Sequence, residues 1–312
     1  MGGIWKALMV LLLANFMFGR VSVGDPAIVY RPGIAGPSGV MEFPEEEPVD
    51  WPEATEAPGE LHPVVVGDLL LGGSSGGEWL NVMDVAPHLM GGETYNLYSL
   101  QGYVGKAIGS AVPEETDDWR AANGPYAEFV ELQHGVARDA YVAVNDDWNA
   151  MPRVPVAQGD ANGTYRAIVN GLLEEEGLFG ADIEILQNYR IDLEGDGVDE
   201  VVLYAESRLR DEGDWRFFEE KGRFSILILR KVIGGEVQNI VMRSDVHLSE
   251  QNFESDERQL REIYPIMGIL DLNGDGKLEI VNAFHYYEGF AYGVTDVFDD
   301  GSVLVMWNGY GA

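Results

Sequence analysis

Asp192-Leu-Glu-Gly-Asp-Gly-Val-Asp-Glu200 and Asp271-Leu-Asn-Gly-Asp-Gly-Lys-Leu-Glu279 are two segments with the same spacing of oxygen-bearing side chains. In both, these side chains occupy positions 1, 3, 5 and 9 around a central Asp-Gly pair. Glycine at position 6 permits a sharp turn, so the carboxylates and the carbonyl oxygen of position 7 face one point, as oxygen ligands around a hard divalent cation do. The spacing predicts two calcium loops. The alternative is a pair of acidic, glycine-rich hairpin turns that bind no ion.

Both loops belong to a longer internal repeat. The loops are 271 − 192 = 79 residues apart, and residues 224–235 align with 290–301 at an offset of 290 − 224 = 66. The first copy therefore has 79 − 66 = 13 additional residues, which we place in the charged stretch 208–221. Each copy predicts the order strand, loop, strand, connection, strand, turn, strand. The predicted strands are 183–191, 201–205, 224–232 and 237–242 in the first copy, and 263–270, 280–287, 292–298 and 303–307 in the second.

The residues around the loops do not fit helical calcium proteins. A helix-loop-helix site needs a bidentate Glu at position 12, where this chain has Leu203 and Asn282. The segments instead resemble the DxDxDGxxD pattern of FG-GAP or VCBS-type calcium repeats, over about the last two-fifths of the chain. The resemblance implies that calcium is bound by these residues, with positions 7 contributing carbonyl oxygens: Asp192, Glu194, Asp196, Val198 and Glu200 in the first loop, and Asp271, Asn273, Asp275, Lys277 and Glu279 in the second.

The resemblance also implies a β-propeller whose blades are four-stranded. Two departures bear on this: Glu194 is longer than the usual Asp or Asn, and two copies are fewer than the four blades of a closed propeller. Either residues 63–155 supply diverged blades without metal, or the two units pack together without closing a ring. The predicted fold class is mainly β (α+β): antiparallel four-stranded units with calcium loops, propeller-like or an open sandwich, plus one or two helices.

The chain divides into four predicted regions. Residues 1–24 predict a signal peptide and residues 25–62 a disordered linker rich in Pro and Glu. A β-rich N-terminal domain follows at 63–160, and 161–312 contains the two repeats, at about 161–243 and 260–312. The strongest strand signals of the N-terminal domain are 64–66, 68–71, 95–100, 103–104, 127–132 and 140–144.

Two helices are expected besides the strands. The first is short, at 82–89. The second is capped by Asn162 or Thr164 and ends at Gly177, which suits a left-handed stop. Its apolar face consists of Tyr165, Ile168, Val169, Leu172 and Leu173.

Composition and charge restrict location and partners. The N-terminal segment, with Lys6, an apolar run at 7–19 and small residues before position 25, predicts export to an extracellular or periplasmic location. An uncleaved membrane anchor is the alternative, and no stable membrane span is expected once the signal is removed. The net charge of −33 disfavours nucleic acid and anionic membranes, so the expected partners are calcium and a glycan or protein ligand. The absence of Cys excludes disulfides and thiolate chemistry.

Catalytic patterns are weak. The segment Gly73-Ser-Ser-Gly-Gly77 fits GxSxG, but a tight hairpin is the favoured interpretation. None of the five histidines has zinc-site spacing; they are His62, His88, His134, His247 and His285. Aromatic residues near the second loop and the carboxyl end predict core packing or, alternatively, a ligand surface; they are Tyr286, Tyr287, Phe290, Trp307 and Tyr310.

Three classes of function follow from these observations. The leading one is a non-enzymatic, exported calcium-binding β-repeat protein with a recognition or adhesion role, in which calcium stabilises the repeat loops. A purely structural envelope component is the third. A secreted hydrolase that uses the repeats as scaffold is the alternative, although no catalytic residue is predicted.

Overall fold

The computed structural model describes residues 59–112, 130–133, 141–161, 163–208, 221–249, 261–286, 289–298 and 301–311. The predicted signal peptide and almost all of the predicted linker lie outside these residues. The described residues form mainly β-strands, all paired antiparallel, which confirms the mainly β prediction.

Three sheets contain these strands. The N sheet has the order β3-β2-β1-β7-β4-β5-β6, the first-repeat sheet the order β12-β11-β10-β9-β8, and the second-repeat sheet the order β13-β14-β15-β16. The N-sheet strands are β1 (His62–Val66), β2 (Leu69–Ser75), β3 (Glu78–Asn81), β4 (Thr94–Ser99), β5 (Gly102–Gly109), β6 (Leu132–Gln133) and β7 (Val142–Val144). The first-repeat strands are β8 (Val156–Ala157), β9 (Ile183–Ile191), β10 (Glu200–Ser207), β11 (Phe224–Ile233) and β12 (Glu236–Val246). The second-repeat strands are β13 (Ile266–Leu270), β14 (Glu279–Tyr286), β15 (Gly289–Phe298) and β16 (Gly301–Gly311).

Each repeat is a four-stranded meander, as the repeat pattern predicts. Strand β9 has the predicted bounds, whereas β13 begins three residues late because Ile263 forms only an isolated bridge with His285. In both repeats the Glu at position 9 of the loop is the first residue of the following strand. Strand β8 precedes the predicted repeats but pairs with β9, so the first-repeat sheet has five strands.

The register of the strands corrects the predicted alignment by one residue. Ile233 pairs with Glu236 across one hairpin turn, and Phe298 pairs with Gly301 across the equivalent turn, an offset of 298 − 233 = 65. The offset of 66 is therefore wrong, and the first copy is longer by 79 − 65 = 14 residues. The match of Phe224 with Phe290 favoured the wrong offset, whereas backbone pairing and the turns fix the true one.

The second-repeat sheet lies between the other two sheets and is apolar on both faces. Because successive residues of a strand point to opposite faces, Val281 packs towards the N sheet and its neighbour Ile280 packs towards the first-repeat sheet. Three sheets are described, one fewer than the minimum for a closed propeller.

Two helices in the described part of the chain cover outer faces of the sheets. Helix α1 (Val82–Val85) continues into a 3-10 turn at Ala86–His88, so the two together cover nearly all of the predicted helix at 82–89. The side chain of Asn81 caps α1. Helix α2 (Thr164–Glu176) packs Val169 and Leu173 on the first-repeat sheet and ends at Gly177, whose φ of 98° is left-handed as predicted.

The N-terminal cap of α2 differs from the prediction. Asp160 caps it, since its carboxylate accepts bonds from the backbone N–H groups of Tyr165 and Arg166. Gly163 is the residue at the cap position, Thr164 is already the first helical residue, and Asn162 lies outside the described residues.

Candidate metal centres

The two predicted calcium loops lie in direct contact. The backbone N–H of Leu278 in the second loop donates a hydrogen bond of 2.9 Å to the carbonyl of Leu193 in the first. The guanidinium of Arg153 joins them a second time. It donates to the carbonyl oxygens of Asp192 (2.6 Å) and Leu193 (3.2 Å) and to that of Gly276 (2.8 Å). The loops therefore form one structural unit, with Arg153, which the sequence pattern did not indicate, as the link.

Within the first loop, the carboxylate of position 1 organises the backbone. Asp192 Oδ1 accepts bonds from the N–H groups of Gly195 (2.6 Å) and Asp196 (3.1 Å), and Oδ2 accepts from Gly197 (3.0 Å). Asp196 Oδ1 accepts from Val198 N (2.8 Å). Gly195 and Gly197 have positive φ, so the loop needs glycine where the sequence has it.

The second loop repeats these bonds. Asp271 Oδ1 accepts from Gly274 N (2.7 Å) and Oδ2 from Gly276 N (3.0 Å), while Asp275 Oδ1 accepts from Lys277 N (2.8 Å). Asn273 Oδ1, at position 3, accepts from Asp275 N (3.1 Å). Equal spacing in the sequence thus produces equal loop conformation, and the side chains at positions 1 and 5 turn inward onto the backbone in both.

The position 9 glutamates are the most buried acids of the loops. Glu200 is 2% exposed and Glu279 0%, and in each the Oε2 atom accepts a bond from the N–H of position 2, that is from Leu193 (2.8 Å) and Leu272 (2.7 Å). Glu279 Oε1 is buried and has no hydrogen-bond partner among the described residues. Position 9 is therefore where each loop is anchored to its sheet.

Burial raises the pKa of Glu279 to about 9. The negative charges of Asp296, Asp275 and Asp271 raise this pKa further, while the bond from Leu272 N opposes the shift. Burial also raises the pKa of Asp271 and of Asp296. A buried, charged carboxylate with only one of its two oxygens hydrogen-bonded lowers the stability of the fold. The second loop therefore requires a proton or a cation at this point.

The second loop is held tightly against the N-sheet region. Trp148 Nε1 donates to the carbonyl of Asp271 (2.9 Å), and its ring lies 3.4 Å from where a Cβ on Gly274 would stand. The N–H of Asp271 donates to Ala150 O (2.8 Å), and Ser74 Oγ donates to the carbonyl of Leu272 (3.1 Å). Backbone and aromatic contacts therefore fix this loop on the side away from solvent.

One residue on the third strand of each repeat lies opposite the glutamate at position 9 of the loop. Val201 pairs with Arg230 and Ile280 pairs with Thr295, so the next positions along these ladders place Lys231 opposite Glu200 and Asp296 opposite Glu279. Lys231 Nζ is 3.1 Å from Glu194 Oε1 and donates to Phe298 O (2.5 Å). Neither Lys231 nor Asp296 is a sequence-predicted ligand, because the offset of 66 matched Lys231 with Val297.

The donor set fits a hard cation. Carboxylate and carbonyl oxygens suit Ca²⁺ or Mg²⁺, and the loops contain no sulfur or imidazole group. The buried, unbonded Oε1 of Glu279 is a ligand atom without a partner, which fits a cation at the second loop. In the described part of the chain no three His, Asp or Glu side chains are gathered closely enough to hold a metal ion. The loop carboxylates at positions 1 and 5 bond to backbone amides instead.

The other predicted patterns have structural roles. Ser75 ends β2, and Gly76 and Gly77 turn the chain into β3, so the hairpin interpretation of the GxSxG match is confirmed; no helix follows the serine. Trp307 is 43% exposed, whereas Phe290 packs against the core. His134 and Tyr287 lie outside the described residues.

Comparison of the chain with protein-family models, with curated proteins and with solved structures gives no match. The resemblance to FG-GAP or VCBS-type repeats therefore stays a prediction that depends on the loop residues and the strand order. Neither of the described helices is long and apolar enough to cross a membrane.

Proposed function

We propose that the protein is an exported calcium-binding β-repeat protein in which Ca²⁺ stabilises the repeat loops, and that the stabilised repeats serve recognition, adhesion or envelope structure. The buried, unbonded Oε1 of Glu279 among neighbouring carboxylates is the observation that carries the proposal. The signal-like N-terminal segment supports export.

Calcium is the cation that these carboxylates favour over a proton. A proton neutralises one carboxyl group, whereas the charges of Asp296, Asp275 and Asp271 together raise the pKa of Glu279 beyond the effect of burial. When bound, a divalent cation supplies charge to all of them and a partner for Glu279 Oε1. Calcium accepts the irregular oxygen geometry of such a loop more readily than the smaller Mg²⁺ does.

The second loop is placed so that ion binding stabilises two interfaces of the fold. Leu272 is buried in the core between the N sheet and the second-repeat sheet. Leu278, on the other side of the same loop, is buried in the core between the two repeat sheets. Fixing the loop therefore fixes both leucines, and the free energy of ion binding becomes free energy of folding.

Thermal unfolding with and without calcium tests this proposal. We expect the melting temperature of the mature chain to rise by several degrees between excess EDTA and millimolar CaCl₂, since extracellular modules bind calcium with Kd of about 10⁻⁴ to 10⁻³ M. At ten times Kd the stabilisation is about 1.4 kcal/mol. MgCl₂ at equal ionic strength is the control for screening. Identical melting curves in EDTA and in CaCl₂ would refute the proposal.

A recognition role has its own test. Tyr103 and Trp307 are exposed aromatic residues, 56% and 43% respectively, and such faces stack on sugars or proteins. We expect calcium-dependent binding to a glycan array or to a protein ligand, weakened by Trp307→Ala without loss of stability. A chain that binds calcium yet gives no array signal indicates a purely structural role.

A further inference from the structure

We propose that the chain binds a single calcium ion, at the second loop, because Lys231 is a built-in cation for the first loop while Asp296 is an additional calcium ligand of the second. This inference deepens the proposed function and depends on it. It assigns different roles to two residues that occupy the same place in the two repeats.

The first loop already has a cation. Lys231 is 1% exposed, and its ammonium lies 3.1 Å from Glu194 Oε1, the carboxylate at position 3. Its strand position is opposite Glu200, the buried carboxylate at position 9. A buried ammonium beside two of the loop's carboxylates neutralises them and repels a second cation.

The second loop has the opposite charge at the equivalent place. Asp296 is opposite Glu279, and side chains directly opposite on neighbouring strands point to the same face. The carboxylate of Asp296 therefore lies on the same face as Glu279, the buried acid that ends the second loop. Trp79, on β3, hydrogen-bonds Asp296 and holds it there.

Two positive groups lie at the second loop: Lys277 and Arg153, whose guanidinium donates to the carbonyl oxygen of Gly276 (2.8 Å) rather than to a carboxylate. Lys277, at position 7, is only partly buried, and among the described residues it forms no ion pair with a loop carboxylate. With Asp296 the second loop has four carboxylates, as many as the first loop, but among the described residues it has no buried lysine beside them. An external divalent cation completes it.

Calorimetric titration of the mature chain with CaCl₂ is the first test, because it counts sites without any activity assay. We expect one equivalent of calcium per chain, and Asp296→Asn, which keeps the side-chain shape, to weaken binding at least tenfold. Asp199→Asn is the matched control: this exposed residue lies in the first loop but faces Arg190. We expect it to bind calcium as the unchanged chain does.

The outcomes separate this inference from the proposed function. No bound calcium would overturn both. Two equivalents, or one equivalent that Asp296→Asn leaves unaffected, would overturn the inference while the proposed function stands. A charge exchange adds a positive test: Asp296→Lys abolishes the site, and Lys231→Asp adds a second equivalent. If a lysine substitution unfolds the chain, the isosteric Asp296→Asn decides.

Terbium luminescence reports the location of the ion. Among the described tryptophans, Trp148 lies on Gly274 of the second loop and Trp79 bonds Asp296, so terbium bound there is excited through indole. We expect sensitised emission that saturates at one equivalent, is displaced by calcium and falls in Trp148→Phe. Emission that persists in Asp296→Lys would place the ion elsewhere and overturn the inference.

Discussion

Lys231 and Asp296 occupy the same position in the two repeats, each opposite the glutamate that ends a loop, although their charges are opposite. The backbone around them is similar, since both loops form the same turn and share most of their hydrogen bonds. The repeats therefore share a conformation and differ in electrostatics. We expect this difference to make the two loops respond differently to metal, pH and mutation.

Glu279 makes stability depend on pH when calcium is removed. Its pKa rises from 4.5 to about 9 on folding, so between these values the folded chain holds a proton that the unfolded chain has lost. Stability in EDTA therefore falls as pH rises from about 5 to 8, by up to about 1.4 kcal/mol per pH unit. Calcium, which replaces the proton, reduces this loss. Urea unfolding across this pH range measures the effect.

Glu279→Gln is the matching variant. We expect it to remove both the pH dependence and the response to calcium, since the amide carries no charge at any pH in this range. Glu236→Gln, at an exposed turn, is the control and retains both. A pH dependence in EDTA that survives Glu279→Gln assigns the titration to another group.

Arg153 holds the two loops together. Arg153→Ala removes charged hydrogen bonds to three carbonyl groups, and we expect a loss of about 2 to 3 kcal/mol in urea unfolding. Arg153→Lys restores little of the lost stability, because one ammonium group does not reproduce the planar arrangement of N–H donors in a guanidinium. Arg190→Ala, which breaks an exposed pair with Asp199, costs less than about 1 kcal/mol. Equal effects of Arg153→Ala and Arg190→Ala contradict the bridging role.

Gly276 is required by its backbone conformation. Its φ is 88° and a Cβ there meets no atom within 4 Å, so Gly276→Ala costs strain alone, about 1 to 2 kcal/mol. Gly276→Asn costs less, because Asn tolerates this region. Gly171→Ala, inside α2 and equally open, stabilises by about 0.5 to 1 kcal/mol. Thermal unfolding of the three variants shows whether the signs differ as expected.

Trp148 supports the second loop by one hydrogen bond and by its ring. Trp148→Phe keeps most of the ring but loses the bond to the carbonyl of Asp271, so we expect a loss of about 1 kcal/mol and weaker calcium binding. Trp307→Phe, at an exposed position, changes the free energies of unfolding and of calcium binding by no more than about 0.5 kcal/mol. The combination of denaturant unfolding and calcium titration distinguishes this role from general packing.

Local sequence signals predicted much of the fold. Alternating apolar runs located the eight strands of the two repeats in their correct order, and Gly177 ended α2 where expected. The cap of α2 was missed because Asp160 reaches forward to Tyr165 and Arg166, beyond the spacing of an ordinary cap. The register between repeats was missed by one residue because a shared Phe is weaker evidence than backbone pairing.

The conformation of both loops follows from local sequence, because position 1 carboxylates, position 6 glycines and position 9 glutamates act within a single turn of the chain. The groups that lie beside each loop depend instead on how distant parts of the chain pack together. Arg153, Lys231 and Asp296 are distant from the loop residues along the chain and reach them through strand pairing and sheet packing. Charge and burial at a site depend on these partners, and a spacing pattern along one segment contains no information about them.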